Sequence, residues 1–196
     1  MFQWNRPIAK EIRKGVEKRI KEHQEKSRTA SKGMFKGGLA DHSKKIKKLH
    51  TATHLLHSSL RKILGDHVQQ TGSNITKERL RFDFIHSQAL TDQEIKKVED
   101  LVNEQIKKNL KVEHKIMSLN GAQKQGALAF FGQRYPDKVK VYSISHPDPG
   151  SGQRQPFSIE VCGGPHVDFT GELGRFRIKK EESCGAGKRR IYGVLG

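Results

Sequence analysis

Apolar residues recur at helical spacing through the stretch LHTATHLLHSSLRKIL, residues 49–64. They stand at positions 49, 52, 55, 56, 60, 63 and 64. The run ends at Gly65, a residue type that is common just after the last turn of a helix. The pattern therefore predicts a helix with a buried face, and positions four apart on it, such as His50 and His54, share one side.

A change of period marks the next elements. In RLRFDFI, residues 79–85, apolar and polar side chains alternate, which predicts a half-buried strand of an antiparallel sheet. Thr91 and Glu94 then have the spacing of a capping box, which predicts the start of a helix. The apolar face of this second helix consists of Ile95, Val98, Leu101, Val102 and Ile106.

The rest of the chain is dominated by strand patterns. Strands are predicted near 111–117, 138–145, 157–162, 173–180 and 189–195, with a short helix around 121–131. Runs of strands interrupted by a few helices predict an α+β domain, in which helices pack on an antiparallel sheet.

The N-terminal segment has a different pattern. Residues 7–30 are rich in lysine and glutamate, with a thin apolar stripe, and predict a long basic helix with Pro7 near its first turn. Three glycines between 33 and 38 interrupt this pattern. We therefore divide the chain into a basic helical arm and linker, 1–34, and a main domain, 35–196.

The charge balance narrows the choice of partner. The chain has 38 lysines and arginines against 21 acidic residues, a net charge of +17. Residues 1–48 contribute +10 and residues 173–196 contribute +5. Clustered positive charge favours a nucleic-acid partner, although a lysine-rich solvated helix face would look the same in the N-terminal segment.

The sequence contains no long apolar run of the kind that spans a membrane or forms a signal peptide. We therefore expect a cytoplasmic protein with no membrane partner. A reducing compartment makes a disulfide between Cys162 and Cys184 improbable, and Cys184 is interpreted as a small residue at a strand end.

Two pairs of potential metal ligands repeat the same spacing. His50 and His54 share a helix face, and Cys162 and His166 flank two glycines and a proline in VCGGPHV, which predicts a turn. One such pair is weak evidence. Together the pairs supply three imidazoles and one thiolate, a ligand set that suits tetrahedral Zn²⁺. His57 is interpreted as an ordinary core or surface histidine.

Several stretches, in this order, resemble the editing domain of alanyl-tRNA synthetase and its freestanding relatives that hydrolyse mischarged tRNA. The matching stretches are FKGGLADHS (35–43), LHTATHLL (49–56), HVQQTGSNI (67–75), RLRFDF (79–84), FSIEVCGGPHV (157–167), TGELGRFRI (170–178) and GAGKRRI (185–191). The resemblance implies the fold of the synthetases' second additional domain and a metal bound by His50, His54, Cys162 and His166.

The activity implied by the resemblance is hydrolysis of the aminoacyl ester of Ser-tRNA(Ala), with Gly-tRNA(Ala) as a second candidate substrate. The implied partners are tRNA, not DNA, and a synthetase body. Pro165 departs from the usual Cys-Gly-Gly-Thr-His of the family and is similar to the threonyl-tRNA synthetase motif, so editing of Ser-tRNA(Thr) stays open. A zinc-stabilised RNA-binding module without catalysis is the other alternative.

The resemblance also assigns roles outside the metal ligands. It implies that Thr53 and Gln70 line the amino-acid pocket, where they would read the serine hydroxyl. Without it, Thr53 would be read as a helix residue bonded to its own backbone, and Gln70 as an exposed turn residue. Lys188, Arg189 and Arg190 are candidate contacts for tRNA phosphates, with plain surface as the alternative.

Overall fold

A computed structural model describes residues 43–130, 133–146 and 155–196. The predicted basic arm and linker, 1–34, lie outside the described residues. The elements in chain order are α1 (Lys44–Leu64), β1 (Gln70–Ile75), β2 (Leu80–Ile85), α2 (Asp92–Lys107), β3 (Lys111–Ser118), α3 (Leu119–Lys124), β4 (Lys138–Ser145), β5 (Ser158–Val161), a 3₁₀ turn (Thr170–Leu173), β6 (Phe176–Gly185) and β7 (Lys188–Leu195).

The strands form two antiparallel sheets. Four strands pair in the order β1-β2-β7-β6, and three pair in the order β3-β4-β5. This is the α+β class predicted from the pattern, although the pattern does not indicate that the strands divide between two sheets. Helix α1 contacts elements of both sheets, which makes it the shared wall between them.

The larger core lies between α1, α2 and the four-stranded sheet. Its largest fully buried side chains include Phe82, Phe84 and Phe176 from the sheet and Leu55 and Leu56 from α1. A second, smaller cluster lies on the three-stranded sheet and includes Ala122 of α3. Because α1 packs on two sides, its positions 51–60 are all buried, polar ones included.

Predicted boundaries are confirmed where local chemistry defines them. Helix α1 ends at Leu64, and the Gly65 N–H donates to Arg61 O over 2.9 Å. Helix α2 begins after Thr91, whose side chain forms the predicted reciprocal capping box with Glu94. The sequence pattern missed strand β1, because its residues QTGSNI are mostly polar. The helix predicted around 121–131 is shorter, Leu119–Lys124, and ends before Gly126, which has a positive φ of 77°.

Of the helices that the structure describes, none combines the length and the apolar character that a membrane crossing requires.

Candidate metal centre

The four predicted ligand side chains converge at one place. His50 and His54 project from α1, and Cys162 and His166 come from the turn after β5. One ligand atom from each residue lies within 4.8 Å of the others. His54 is buried, and the other three side chains are partly buried. A helix and a turn more than a hundred residues apart therefore meet in a single cluster.

The spacing of the ligand atoms fits a tetrahedral ion. Cys162 Sγ lies 3.3 Å from His50 Nε2 and 3.4 Å from His166 Nε2. With bonds of about 2.1 Å to nitrogen and 2.3 Å to sulfur, neighbouring ligand atoms around Zn²⁺ are about 3.6 Å apart. The donor types and the spacing of these three ligand atoms thus fit Zn²⁺, and His54 lies close enough to be a fourth candidate ligand.

Hydrogen bonds fix which ring nitrogen faces the cluster. His50 Nδ1 lies 3.1 Å from Pro165 O, which only accepts, so Nδ1 carries the proton. The Thr51 hydroxyl donates to Lys47 O and accepts from the Val167 N–H, so it can only accept from His166 Nδ1, 3.2 Å away. Both rings therefore offer Nε2, with its lone pair, to the cluster.

The turn that holds Cys162 is shaped by glycine. Gly164 adopts a positive φ of 73°, and a side chain there would collide with the Tyr142 hydroxyl. Its N–H donates to Cys162 Sγ over 3.4 Å, a contact that favours the thiolate. Tyr142 also packs on the His166 ring, with centroids 4.3 Å apart. The turn is thus closed on one side by an aromatic ring.

Burial keeps the unligated side chains neutral. Burial and the neighbouring His54 lower the pKa of His50 to about 3, and burial lowers the pKa of His54 as well. For the same reason the pKa of His166 is well below its ordinary value. Burial raises the pKa of the Cys162 thiol to about 12. At neutral pH the imidazoles are therefore free of protons that a metal would have to displace, whereas the thiol is not.

A carboxylate lies beneath the cluster. Glu160 of β5 is 6% exposed, and its Oε1 lies 3.9 Å from His54 Nδ1 and 3.3 Å from His57 Nδ1. Burial alone would raise the pKa of Glu160, but attraction to His54 and His57, with the contacts from His57 and Ser158, lowers it to about 2. His57 is a core histidine, as its interpretation from the sequence had it, and it faces this carboxylate.

The two predicted pocket residues lie in different settings. Thr53 is buried one residue before His54, and its hydroxyl donates to Leu49 O over 2.9 Å. This is the backbone contact that was the alternative interpretation, and it leaves the oxygen able to accept. Gln70 is partly buried at the start of β1, where it pairs with Phe84 ahead of a bulge.

Two of the three residues predicted to contact phosphates, Arg189 and Arg190, form ion pairs within the four-stranded sheet. Arg189 pairs with Glu181, with an Nη2–Oε2 distance of 2.7 Å. Arg190 donates two hydrogen bonds to Asp83, at 2.7 and 2.8 Å, which raise the pKa of its guanidinium. Lys188 is exposed. Among the three, Lys188 is thus the side chain most accessible to a phosphate.

Sequence reasoning missed three residues around the cluster. Thr51 forms a hydrogen bond with His166, Tyr142 covers the turn, and Glu160 faces His54. Only Glu160 carried a signal, because a charged residue two positions before a predicted ligand, within a predicted strand, lies on the same strand face as that ligand.

Known proteins resemble this chain over stretches that include the turn with Cys162 and His166. Residues 139–192 match the family described as the threonyl and alanyl tRNA synthetase second additional domain. The chain is 56% identical over 183 residues to the alanine–tRNA ligase of Treponema denticola, and 54% identical over 181 residues to that of Borrelia garinii. These alignments cover 93% and 92% of the chain. The Leptospira interrogans ligase is 49% identical over 78% of the chain.

The resemblance predicted from the motifs is thus confirmed, and residues 139–192 are similar to the second additional domain of threonyl and alanyl tRNA synthetases. Within this class the chain is similar to alanine–tRNA ligases along nearly its whole length. It spans 29% of the length of the Treponema and Borrelia ligases.

Proposed function

We propose that the chain hydrolyses the aminoacyl ester of mischarged tRNA(Ala), with Ser-tRNA(Ala) as the main substrate and Gly-tRNA(Ala) as a second one. The observation that supports this most is the cluster of His50, His54, Cys162 and His166, whose spacing fits Zn²⁺. The similarity to alanine–tRNA ligases favours tRNA(Ala) over other tRNAs.

An aminoacyl ester is already reactive, so hydrolysis needs a positioned water and stabilisation of the developing oxyanion more than a strong nucleophile. A bound Zn²⁺ would supply a Lewis acid beside the ester or hold the pocket in shape. The protein's own contribution is orientation. The hydrogen bonds from His50 and His166 to their acceptors fix both rings, and Tyr142 covers the turn on one side.

Selectivity against alanine requires reading one hydroxyl group. In our proposal Thr53 and Gln70 form hydrogen bonds with the serine hydroxyl. The Thr53 hydroxyl proton is committed to Leu49 O, so the Thr53 oxygen acts as an acceptor for the serine O–H. When alanine enters, the polar groups of the pocket lose their partner, which is the kind of asymmetry that permits strong discrimination.

Deacylation of three charged tRNAs tests the reaction and the substrate together. Purified protein with one equivalent of Zn²⁺ is mixed with Ser-tRNA(Ala), Gly-tRNA(Ala) or Ser-tRNA(Thr), and the remaining ester is measured over time. We expect hydrolysis of Ser-tRNA(Ala) first. Preference for Ser-tRNA(Thr) would support the threonyl-type alternative suggested by Pro165. Binding of all three without hydrolysis would support a non-catalytic RNA-binding module.

Thr53→Val tests how serine is read. It removes the hydroxyl at nearly constant volume, and removing one partner of a buried hydrogen bond costs about 1–3 kcal/mol. We expect the ratio of kcat/KM for Ser-tRNA(Ala) over Ala-tRNA(Ala) to fall about tenfold to a hundredfold. Zinc content should stay unchanged.

Gly-tRNA(Ala) is the internal control for this variant, because glycine offers no hydroxyl. Its hydrolysis should suffer much less. Equal losses on the seryl and glycyl substrates would mean that Thr53 serves the helix, through its bond to Leu49 O, and not the substrate.

A further inference from the structure

His57 has no assigned role, although it is a buried polar side chain on the same helix as two candidate ligands. It is 4% exposed and its ring packs on Phe82, with centroids 5.2 Å apart. Its Nδ1 lies 3.3 Å from Glu160 Oε1, just beyond the usual range for an N–H···O bond. Burying an imidazole in a core is costly unless a polar group faces it.

Glu160 presents the same problem with greater force, because a buried carboxylate needs a counter-charge or several donors. Three donors face one oxygen, Oε1, and they are Ser158 Oγ at 3.1 Å, His57 Nδ1 at 3.3 Å and His54 Nδ1 at 3.9 Å. Within the described ranges, no lysine or arginine forms an ion pair with Glu160.

His54 differs from the other two histidines of the cluster in what lies behind it. The Nδ1 atoms of His50 and His166 have neutral acceptors, Pro165 O and the Thr51 hydroxyl. His54 Nδ1 is buried and has no hydrogen-bond partner among the residues that the structure describes. The carboxylate of Glu160 is the acceptor that faces it.

We propose that Glu160 is a positioning residue for the metal ligand His54, and that His57 holds Glu160 in place from the other side. The proposal rests on the metal site proposed above. With the metal bound, Glu160 would accept the Nδ1–H of His54, which lies 3.9 Å away in this structure, and so keep His54 Nε2 directed at the metal. A histidine ligand usually donates its second N–H in this way, and the acceptor fixes the ring and raises its basicity.

Charge supports the same assignment. A dication bound by one thiolate leaves one positive charge in a buried site, and the Glu160 carboxylate supplies the matching negative charge. His57 remains outside the ligand set and faces the carboxylate with its Nδ1. The three histidines of α1 then have two separate tasks, since His50 and His54 are candidate ligands and His57 supports the carboxylate beneath them.

Metal affinity of purified variants tests the proposal without relying on catalysis. Zn²⁺ affinity is measured by competition with a chelator, and Co²⁺ is titrated as a spectroscopic probe of ligand geometry. We expect Glu160→Gln to weaken Zn²⁺ binding about tenfold to a hundredfold and to alter the visible absorption bands of bound Co²⁺. Asp83→Asn is the matched control, because Asp83 is also buried but bonded to Arg190, and it should change neither.

Two substitutions at His57 separate support of the carboxylate from simple packing. His57→Leu removes the donor and should weaken Zn²⁺ binding about tenfold, at the low end of the usual range for outer-shell partners. His57→Asn retains an N–H near the Nδ1 position and should recover most of that loss. A residue that matters only for packing would lower the stability of the metal-free protein in both variants and leave the Co²⁺ spectrum unchanged.

The outcomes distinguish this proposal from those on which it rests. Wild-type affinity and an unaltered Co²⁺ spectrum in Glu160→Gln would overturn it while leaving the metal site intact. Failure of the wild-type protein to bind Zn²⁺ or Co²⁺ would overturn the metal site and this proposal together. If Glu160→Gln does not fold, the His57 pair decides, and equal affinities in His57→Leu and His57→Asn would refute the support role.

Discussion

Two buried carboxylates, Asp83 in the four-stranded sheet and Glu160 in the three-stranded sheet, are balanced in different ways. Asp83 is 8% exposed and accepts two hydrogen bonds from Arg190, and Arg81 Nε lies 3.3 Å away. Glu160 is 6% exposed and faces two imidazoles and a serine hydroxyl. The first charge has a permanent cation beside it, and the second does not.

The two carboxylates therefore differ in whether the fold itself balances their charge. A carboxylate that is bonded to arginine is complete within the fold, so its neighbourhood needs nothing from solution. A buried carboxylate without an arginine or lysine beside it is electrostatically incomplete. A cation bound at the proposed metal site would therefore stabilise the region around Glu160, and we expect it to have no effect on the region around Asp83.

The largest expected effect comes from removing the thiolate. Cys162→Ala deletes the one anionic ligand, and we expect Zn²⁺ content to fall from about one ion per chain to nearly none, with loss of deacylation. Elemental analysis after dialysis measures the content. Cys184→Ala is the matched control, because it removes the other free cysteine and should leave zinc bound. Full zinc content in Cys162→Ala would contradict the ligand assignment.

The next effect is a dependence of metal affinity on pH. The thiol of Cys162 has a pKa raised to about 12, so it is protonated near neutrality, and a metal must displace that proton. Because the pKa values of His50, His54 and His166 are lowered, these rings release none. The logarithm of the Zn²⁺ binding constant should therefore rise by about one unit per pH unit between about pH 7 and 9.

Calorimetry in buffers of different ionisation enthalpy gives the proton count directly. One proton released per ion would agree with this scheme. No release would mean that the thiol does not bind the metal, and two or more would mean that the histidines are protonated before the metal binds.

A smaller effect is expected at the other carboxylate. Asp83→Asn removes the charge that pairs with Arg190, and hydrogen bonds to charged groups contribute about 2 kcal/mol each. We expect the free energy of unfolding to fall by about that amount, equally with zinc and with a chelator present. Urea unfolding under both conditions measures it. A destabilisation that appears only with zinc present would contradict the separation of the two regions.

The smallest expected effect is on tRNA binding, and it comes from Lys188, which lies two residues from Arg190, the partner of Asp83. Lys188 is exposed, whereas Arg189 and Arg190 are paired within the sheet. Lys188→Gln should weaken tRNA binding a few-fold and reduce the slope of log K against log salt by about one unit. Filter binding across a salt series measures both. Lys97→Gln, an exposed lysine on α2, should change neither, and equal slopes in the two variants would remove Lys188 from the tRNA contact.

The candidate ligands could be predicted from the sequence because each pair is local. The spacing of His50 and His54 places them on one helix face, and the glycines between Cys162 and His166 indicate a turn. Two helix ends could be predicted for the same reason, because Gly65 and the Thr91 capping box determine them through hydrogen bonds within a few residues. These features depend on short stretches of chain, so they can be recognised without knowing which other segments pack against them.

What surrounds the ligands could not be predicted, because it depends on which surfaces meet. In SIEV, alternation puts Ser158 and Glu160 on the strand face opposite Ile159 and Val161, but it does not show what covers that face. Ser158 and Glu160 are buried all the same, because α1 covers that face while the smaller core cluster covers the other. Strand β1 was missed for a similar reason. Its sequence is mostly polar, and it is a strand because it pairs with β2, with a bulge near Gly72.

The distance along the chain between the two ligand pairs has a mechanical consequence. Cys162 and His50 are 112 residues apart in sequence and 3.3 Å apart in space. An ion held by both would act as a crosslink that closes a loop of more than half the chain. Crosslinks closing loops of this size restrict the unfolded chain by roughly 4–5 kcal/mol in the chain-entropy treatment. The four ligands would then join helix α1 and the second half of the domain into one cooperative unit, so that losing the ion would loosen residues far from the site.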